Sequence, residues 1–587
     1  MISLIISFFL IAPFIVFENK NSDSKYFNYA ASISIAYASL GLISLLFISL
    51  KLTFIPLYII LIFLFLIFNL QKQYRYRLFK FCDQFSEEII IIKNLKKQKI
   101  TLGIFSFLII ILFILSIGPI NHSDTANIYV GYPHKFLIQN SHFIDGNLNQ
   151  GLMGIGDFAN IFFLQEKTTW LIRSSQFIPL FFVFMYMLKR QINNIFIFTF
   201  LSSPVMIQWL TIGKNNFLSE TALALAFLVW ERNKEKEYIP YIICLSFIAI
   251  SFKISALLIS LPILIYLAYY YRYSFLNINI RKIIKGISLP LIFSLICLTS
   301  IFFYRNTIIH NPFYPLLTGI FNNGDQQLSD WEQTLRGWDR QGFYPLWIFI
   351  PKSIGKISFV LGIANLFLFI NAIVVFFKNL ISKNALLNIV IFQFFLLIIF
   401  AQGRADYYMA PLILINFATP ILSFKKLNLR NMKFSKFINK SFLLLTFSQF
   451  IMFLISALYS ISLTLYVIYD YEEGMNKTAY NFYNSKKIEE LAIMPVYSEV
   501  SGMTHLFFDE PFIANQKFER CFYYGENISD EQKYKFCMQK EGVKTIVVNN
   551  KKLENSEFFS CQKDFLKRVS RNIFLEKKID VDFCQLK

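Results

Sequence analysis

The chain has 587 residues, of which 55% are hydrophobic and only 16% charged. Mean hydropathy is +0.49, and apolar runs of about 20 residues, enough to cross about 30 Å of hydrocarbon, recur along it; this excludes an ordinary multidomain soluble protein and points to a polytopic helical membrane protein. The net charge of +20 does not indicate nucleic acid, because most Lys and Arg lie in short loops between apolar runs, and no basic–aromatic patch stands outside those loops.

Residues 1–17 are apolar but lack a basic start and a small-residue cleavage site, so they read as a first membrane helix and not as a signal peptide. Residues 30–50 and 53–70 follow as a helical pair. Residues 71–100 are polar and carry Arg75, Arg77, Lys80, Lys93, Lys96, Lys97 and Lys99, a density of positive charge that assigns them to the cytoplasm. Within them, residues 85–95 are expected as an amphipathic helix on the membrane surface. Residues 101–118 cross outward and end at Gly118–Pro119.

Residues 119–170 form the longest polar interruption in the first half of the chain and hold three of its five histidines, His122, His134 and His142. Asp124 lies just beyond the helix exit. A carboxylate there suits a general base acting on an acceptor hydroxyl, or a ligand for a divalent cation beside a phosphate. Asp157 is a possible second acid, or the cap of a helix beginning at Phe158. Tyr129, Tyr132 and His134 are candidate substrate contacts.

Further spans are expected at 171–188, 195–209, 217–230, 238–251, 254–271 and 286–303. A second outer loop, 304–351, precedes spans at 357–377, 385–401, 407–424 and 441–469. The total is about 14 crossings, counting apolar runs long enough to span. Lys214, Lys253, Arg305 and Arg404 fall on the outer side. One such cation snorkels to the interface; four together would ring the mouth of the bundle and suit a phosphate at headgroup depth. No P-loop, dinucleotide fingerprint, zinc motif or serine-hydrolase elbow occurs, which disfavours an ATP-driven pump and a metalloprotease.

The tail, 470–587, is expected as a small extracytoplasmic α/β domain, with a strand at 543–548 and helices at 486–491 and 530–539. It holds four of the seven cysteines, Cys521, Cys537, Cys561 and Cys584. Two disulfides and an oxidising compartment are the favoured reading, with three possible pairings; zinc is the rival, although no Cys-x-x-Cys occurs.

The run Asp124-Thr-Ala-Asn-Ile-Tyr129-Val-Gly-Tyr132-Pro133 resembles the Asp-x-x-x-x-Tyr-His-x-Pro pattern of an uncharacterised bacterial branch of the GT-C superfamily of membrane glycosyltransferases. Protein O-mannosyltransferases and the aminoarabinose transferase of lipid A belong to that superfamily. Tyr304-Arg305-Asn306 with Asn311-Pro312-Phe313-Tyr314-Pro315, and Gly403-Arg404 with Tyr407 and Pro411, are similar to its later motifs. The match departs at Val130, and Pro133 falls one place late.

The resemblance covers 101–425 and implies a GT-C-like membrane domain over 101–469. Residues 1–100 would then be additional helices with a basic cytoplasmic loop. It implies a sugar donor on polyprenyl phosphate, a glycan, lipid or protein acceptor, and inversion with Asp124 as general base. Arg305, Arg404, Lys253 and Lys214 would bind the donor phosphate, Asn306 would join the substrate contacts, and Asp124 is the possible ligand of a divalent cation, Mg or Mn. The implied setting is the bacterial inner membrane, with no nucleic-acid partner.

Two other readings stand beside it. A polysaccharide polymerase or O-antigen ligase would work through Arg305, Arg336 or Arg340. A transporter or flippase of lipid-linked sugar would need polar residues inside the membrane helices, whose centres read as apolar.

Overall fold

The computed structural model describes residues 2–15, 23–52, 57–94, 99–118, 125–139, 141–144, 146–166, 168–272, 280–337, 340, 342–378, 385–418, 432–469, 480–499, 515–525, 528–549, 553, 556–569 and 576–587. Helix α1 (Ile2–Ile15) leads to α2 (Ser24–Ser49), which is buried along almost its whole length. Gly41 of α2 lies so close to the Ile155 carbonyl that a Cβ would overlap it; only glycine permits this backbone approach. Helix α3 (Leu57–Leu70) precedes α4 (Lys72–Asn94), so the amphipathic helix expected at 85–95 is the second half of a longer one. Then α5 (Lys99–Ser116) runs to the first long loop.

That loop is itself mostly helical. A π-helical turn, Thr125–Gly131, feeds α6 (Tyr132–Gln139), and a short 3-10 turn precedes α7 (Ile155–Gln165). Next come α8 (Leu171–Lys189), α9 (Asn194–Leu201) and α10 (Val205–Ile212). The run expected as one span at 195–209 is this last pair, bent by 50°. The bend falls at Ser202–Ser203–Pro204, because proline lacks the N–H that would continue the ladder.

Helix α10 stops at Gly213, whose φ of +70° is left-handed. Helices α11 (Asn216–Asn233), α12 (Ile239–Phe252), α13 (Leu257–Tyr271) and α14 (Ile280–Ile309) follow. The second loop holds α15 (Thr318–Phe321) and α16 (Gln326–Gly337); α17 (Ile363–Lys378), α18 (Ala385–Phe400), α19 (Met409–Phe417) and α20 (Met432–Tyr469) complete the bundle around one apolar core.

Among the described residues six helices are long and apolar enough to cross a membrane, or up to seven with the bent pair. They are compatible with a multi-pass membrane protein. The expected count of about 14 is not confirmed: among the described residues four further apolar helices, Ser3–Ile15, Ile59–Leu70, Gly103–Ser116 and Ala385–Phe400, are shorter than a full span. The run at 407–424 yields only the nine residues of α19 in helix, with 419–431 outside the described residues, and α12 is 14 residues long.

Two ends of the bundle are distinct. At one, Asp23 takes ion pairs from Lys189 at 2.8 Å and Arg232 at 2.9 Å, and Asn28 bonds Gln84. These are the segments that basic-loop bias assigns to a single side. At the other end lie the two long loops and the tail.

The tail builds α21 (Tyr480–Leu491), β1 (Val496–Ser498), α22 (Asn515–Tyr524), α23 (Asp530–Glu541), β2 (Thr545–Asn549), β3 (Phe559–Val569) and β4 (Glu576–Leu586). The sheet order is β1-β2-β4-β3, with β1 parallel to β2 and the other pairs antiparallel. Successive side chains of a strand face opposite sides. Ile546 and Val548 of β2 therefore pack with Phe518 and Tyr534 of α22 and α23, while Val547 packs with Ile488 of α21.

Cys521–Cys537 ties α22 to α23, and Cys561–Cys584 joins residues directly opposite on β3 and β4. Two disulfides are thus found, and the zinc alternative falls because every candidate thiol is paired.

Candidate functional site

The polar residues of the loop end converge where α7 begins, where α10 turns into α11, where α12 breaks at Lys253, and where α18 passes to α19. Each is a helix terminus, where backbone groups lack partners and polar side chains are recruited. The Gly154 N–H donates to Asp157 Oδ2 at 2.9 Å, so Asp157 does cap a helix, one that starts three residues earlier than expected. Its Oδ1 accepts from Asn215 Nδ2 at 3.0 Å, and the same amide donates to the Gly156 carbonyl at 2.7 Å. Asn215 Oδ1 accepts from Gln176 Nε2 and lies 3.0 Å from the Tyr37 hydroxyl. Asn160 Nδ2 donates to the Tyr129 carbonyl, which fixes the π-helical turn against α7. Burial pushes the Asp157 carboxyl up to about 7, against the opposing pull of its two donors and of Lys253 and Arg305.

A second acid lies close by. Asp406 Oδ2 pairs with Lys214 Nζ at 2.9 Å, with both side chains nearly inaccessible. Burial raises this carboxyl, but Lys214, Arg404 and Lys253 outweigh it and bring it to about 2. Lys253 Nζ stands 4.7 Å from the centre of the Tyr407 ring. Glu220, buried within α11, accepts from Asn216 and lies within electrostatic reach of Lys253 and Asp406. Asp406 Oδ1 and Glu220 Oε2 are buried without hydrogen-bond partners among the described residues.

Of the sequence candidates, Asp157, Lys214, Lys253, Arg305 and Arg404 are brought together. Arg305 is 1% exposed and donates to the carbonyls of Gly151 and Met153, both at 3.0 Å. Two of its three nitrogens therefore brace the first loop, and Nη1 is left over. Asn306, the next residue, faces outward and does not join the cluster.

Tyr132 is wholly buried; its hydroxyl donates to Asn147 at 2.6 Å, so it serves the fold of the loop and is not a surface for substrate. Burial holds that phenol well above its ordinary value. Tyr129 is also buried, while His134 on α6 is partly exposed. Asp124 lies outside the described residues; its neighbour Thr125 donates to the Ile212 carbonyl and touches the position a Gly213 Cβ would occupy.

Sequence reasoning missed Asp406, Glu220, Asn215 and Asn160. Two signals were present: Asp406 sits inside the Gly-Arg-Ala-Asp-Tyr-Tyr string, and Glu220 is an acid in an apolar run, which marks a functional candidate in a membrane protein. The expectation of apolar helix centres is also corrected. Gln176, Glu220, Gln393, Asn416 and Gln449 are buried within helices. Gln393 reaches the Ile259 carbonyl and Gln449 the Thr199 carbonyl.

No group of three or more His, Cys, Asp or Glu suited to a metal ion occurs among the described residues. Asp124, the residue named as a possible cation ligand, lies outside the described residues. Comparison with protein-family models, with curated proteins and with solved structures finds no match.

Proposed function

We propose that this protein is a membrane glycosyltransferase that takes a sugar from a polyprenyl-phosphate donor to an acceptor of the cell envelope. The reading rests first on the resemblance of three motifs to GT-C enzymes. The observation that carries it furthest is the cluster in which buried Lys214 and Arg305 and half-buried Lys253 and Arg404 lie within electrostatic reach of the buried acids Asp406, Glu220 and Asp157. Four cations against three acids, one of them poised near neutrality, leave an excess of positive charge that suits a phosphate.

In this reading Asp124 takes the proton of the acceptor hydroxyl. The oxygen attacks the anomeric carbon from the face opposite the phosphate, the glycosidic bond to phosphate breaks, and polyprenyl phosphate leaves with the electron pair. Lys214, Lys253 and Arg404 neutralise that leaving group. The seating of Thr125 on the turn before Lys214 supports placing the first loop beside these cations. The chain would lie in the bacterial inner membrane with the tail domain extracytoplasmic, which the two disulfides support.

The test is transfer in isolated membranes from a panel of labelled polyprenyl-phosphate sugars. Wild type should transfer, and Asp124→Asn at equal expression should not. Transfer undiminished in Asp124→Asn would remove the catalytic assignment.

Arg340, one of the arginines that a polymerase or ligase would use, donates to the carbonyls of Ala401 and Ile399, which counts against that reading. Transport of a lipid-linked sugar is favoured by one observation, the buried acid Glu220 inside α11. It predicts label crossing the membrane with no labelled product.

A further inference from the structure

A cavity of about 560 Å³ lies between the tail domain and the two long loops and shares no lining residue with the cluster around Asp406. Its walls come from the turns at Gly146 and Gly324, from one face of α22, and from the end of α23. That volume is in the range of small-molecule sites, about 300–1,000 Å³. The junction is built by specific links: Arg520 Nη2 to Asp325 Oδ2 at 2.8 Å, the Tyr524 hydroxyl to Asp330 Oδ2 at 2.8 Å, and Gln327 Nε2 to the Gln516 carbonyl at 2.9 Å. An occupant would touch both the tail and the bundle loops.

The lining decides the ligand class. Leu148 is its only aliphatic side chain among the described residues, which excludes a lipid chain. Of the three lining cations among the described residues, Arg520 is paired with Asp325 at 2.8 Å and Lys517 with Glu541 at 3.7 Å, which leaves only Lys540 outside an ion pair with a lining acid and disfavours a polyanion. What remains is a dense alternation of donors and acceptors, with the amide of Gln326 and the ring of Tyr524 beside them. A sugar hydroxyl both donates and accepts, and such a set satisfies it in either role. We propose that this cavity binds an uncharged oligosaccharide. That this glycan is the acceptor of the transfer rests on the transferase reading; the binding does not.

The experiment uses the full chain in lipid nanodiscs, free of sugar-headed detergent. Saturation-transfer NMR and titration are run with short oligosaccharides of glucose, galactose, mannose and N-acetylglucosamine. At least one should bind. The double variant Gln326→Ala with Lys540→Ala should weaken it by about tenfold or more, the loss of one or two hydrogen bonds. Tyr524→Phe, a milder change, should weaken it less, and Lys578→Ala, an exposed residue on β4 that does not line the cavity, should leave it unchanged.

Survival of the Cys521–Cys537 bridge and an unchanged elution volume certify the fold of each variant. No binding by wild type, equal binding by the double variant, or binding of sugar phosphates and inorganic phosphate alone would each overturn the proposal. Asp124→Asn should bind like wild type, so absent transfer with intact binding overturns only the transferase reading.

Discussion

The ion pair between Lys214 and Asp406 is the residue contact on which the site most depends. Both side chains are taken out of water, at 9% and 3% exposure. Removing one partner leaves the other's charge buried, which costs about 3–5 kcal/mol. Lys214→Ala should therefore lower the thermal midpoint strongly, whereas replacing both residues with well-packed apolar ones should cost much less. Thermal unfolding monitored by monodispersity distinguishes these, and equal losses in the single and double variants would show the pair to be inert.

Asp157 carries the opposite sign. Its folded value, about 7, lies above the ordinary 3.8. Between those values the folded protein holds more protons than the unfolded one, so stability falls as pH rises and levels off above about 7. Relative to Asp157→Asn, wild type should lose stability as pH rises through that window; parallel curves would show that Asp157 titrates normally. Asp406, depressed to about 2, contributes stability above 3.8 that is lost as pH falls through its folded value.

At the scale of elements, the centre of the bundle is α2 against α7 and α11. Gly41 allows the approach of α2 to α7, because a Cβ there would overlap the Ile155 carbonyl, and Gly154 likewise allows the start of α7 to approach the end of α12 at the Phe252 carbonyl. Gly41→Ala forces backbones apart and should cost about 1–3 kcal/mol as overpacking. Gly103, which meets nothing within 4 Å, is the matched control. Equal midpoints for the two variants would mean that α2 yields freely.

The same elements show what was legible in the sequence and what was not. Apolar runs located the helices, and the break at Lys253 was visible because a lone cation interrupts two such runs. That α2 is a central helix was hidden, since long-range packing leaves no periodic trace in a run that is apolar all round. In the tail, β2 was legible as a block of β-branched residues. The hairpin of β3 and β4 was not, because Lys563, Asp564, Lys567, Arg568, Lys577 and Lys578 mask its alternation. Cysteine count indicated two disulfides, but pairing depends on register, which only the folded sheet supplies. At the site, charge type and order along the chain exposed the cations and Asp157; Asp406 was missed because it reaches Lys214 across 192 residues.

For the whole molecule, sidedness joins these observations. Asp23, Gln84, Lys189 and Arg232 meet at one end, and the long loops and the disulfide domain meet at the other. If the bundle crosses a membrane, the two ends face different compartments, and the disulfides assign the oxidising one to the tail. Cys82 is the one exposed free thiol among the described residues, so the test starts from Cys82→Ser. Single cysteines are then placed at two exposed lysines, Lys236 beside the basic end and Lys578 on the tail sheet. In intact cells a membrane-impermeant maleimide should label Lys578→Cys at once and Lys236→Cys only after permeabilisation. Labelling of both in intact cells would deny that the bundle separates compartments. The reverse pattern would put the tail in the cytoplasm, where neither its disulfides nor a donor approached from the outer leaflet would be expected.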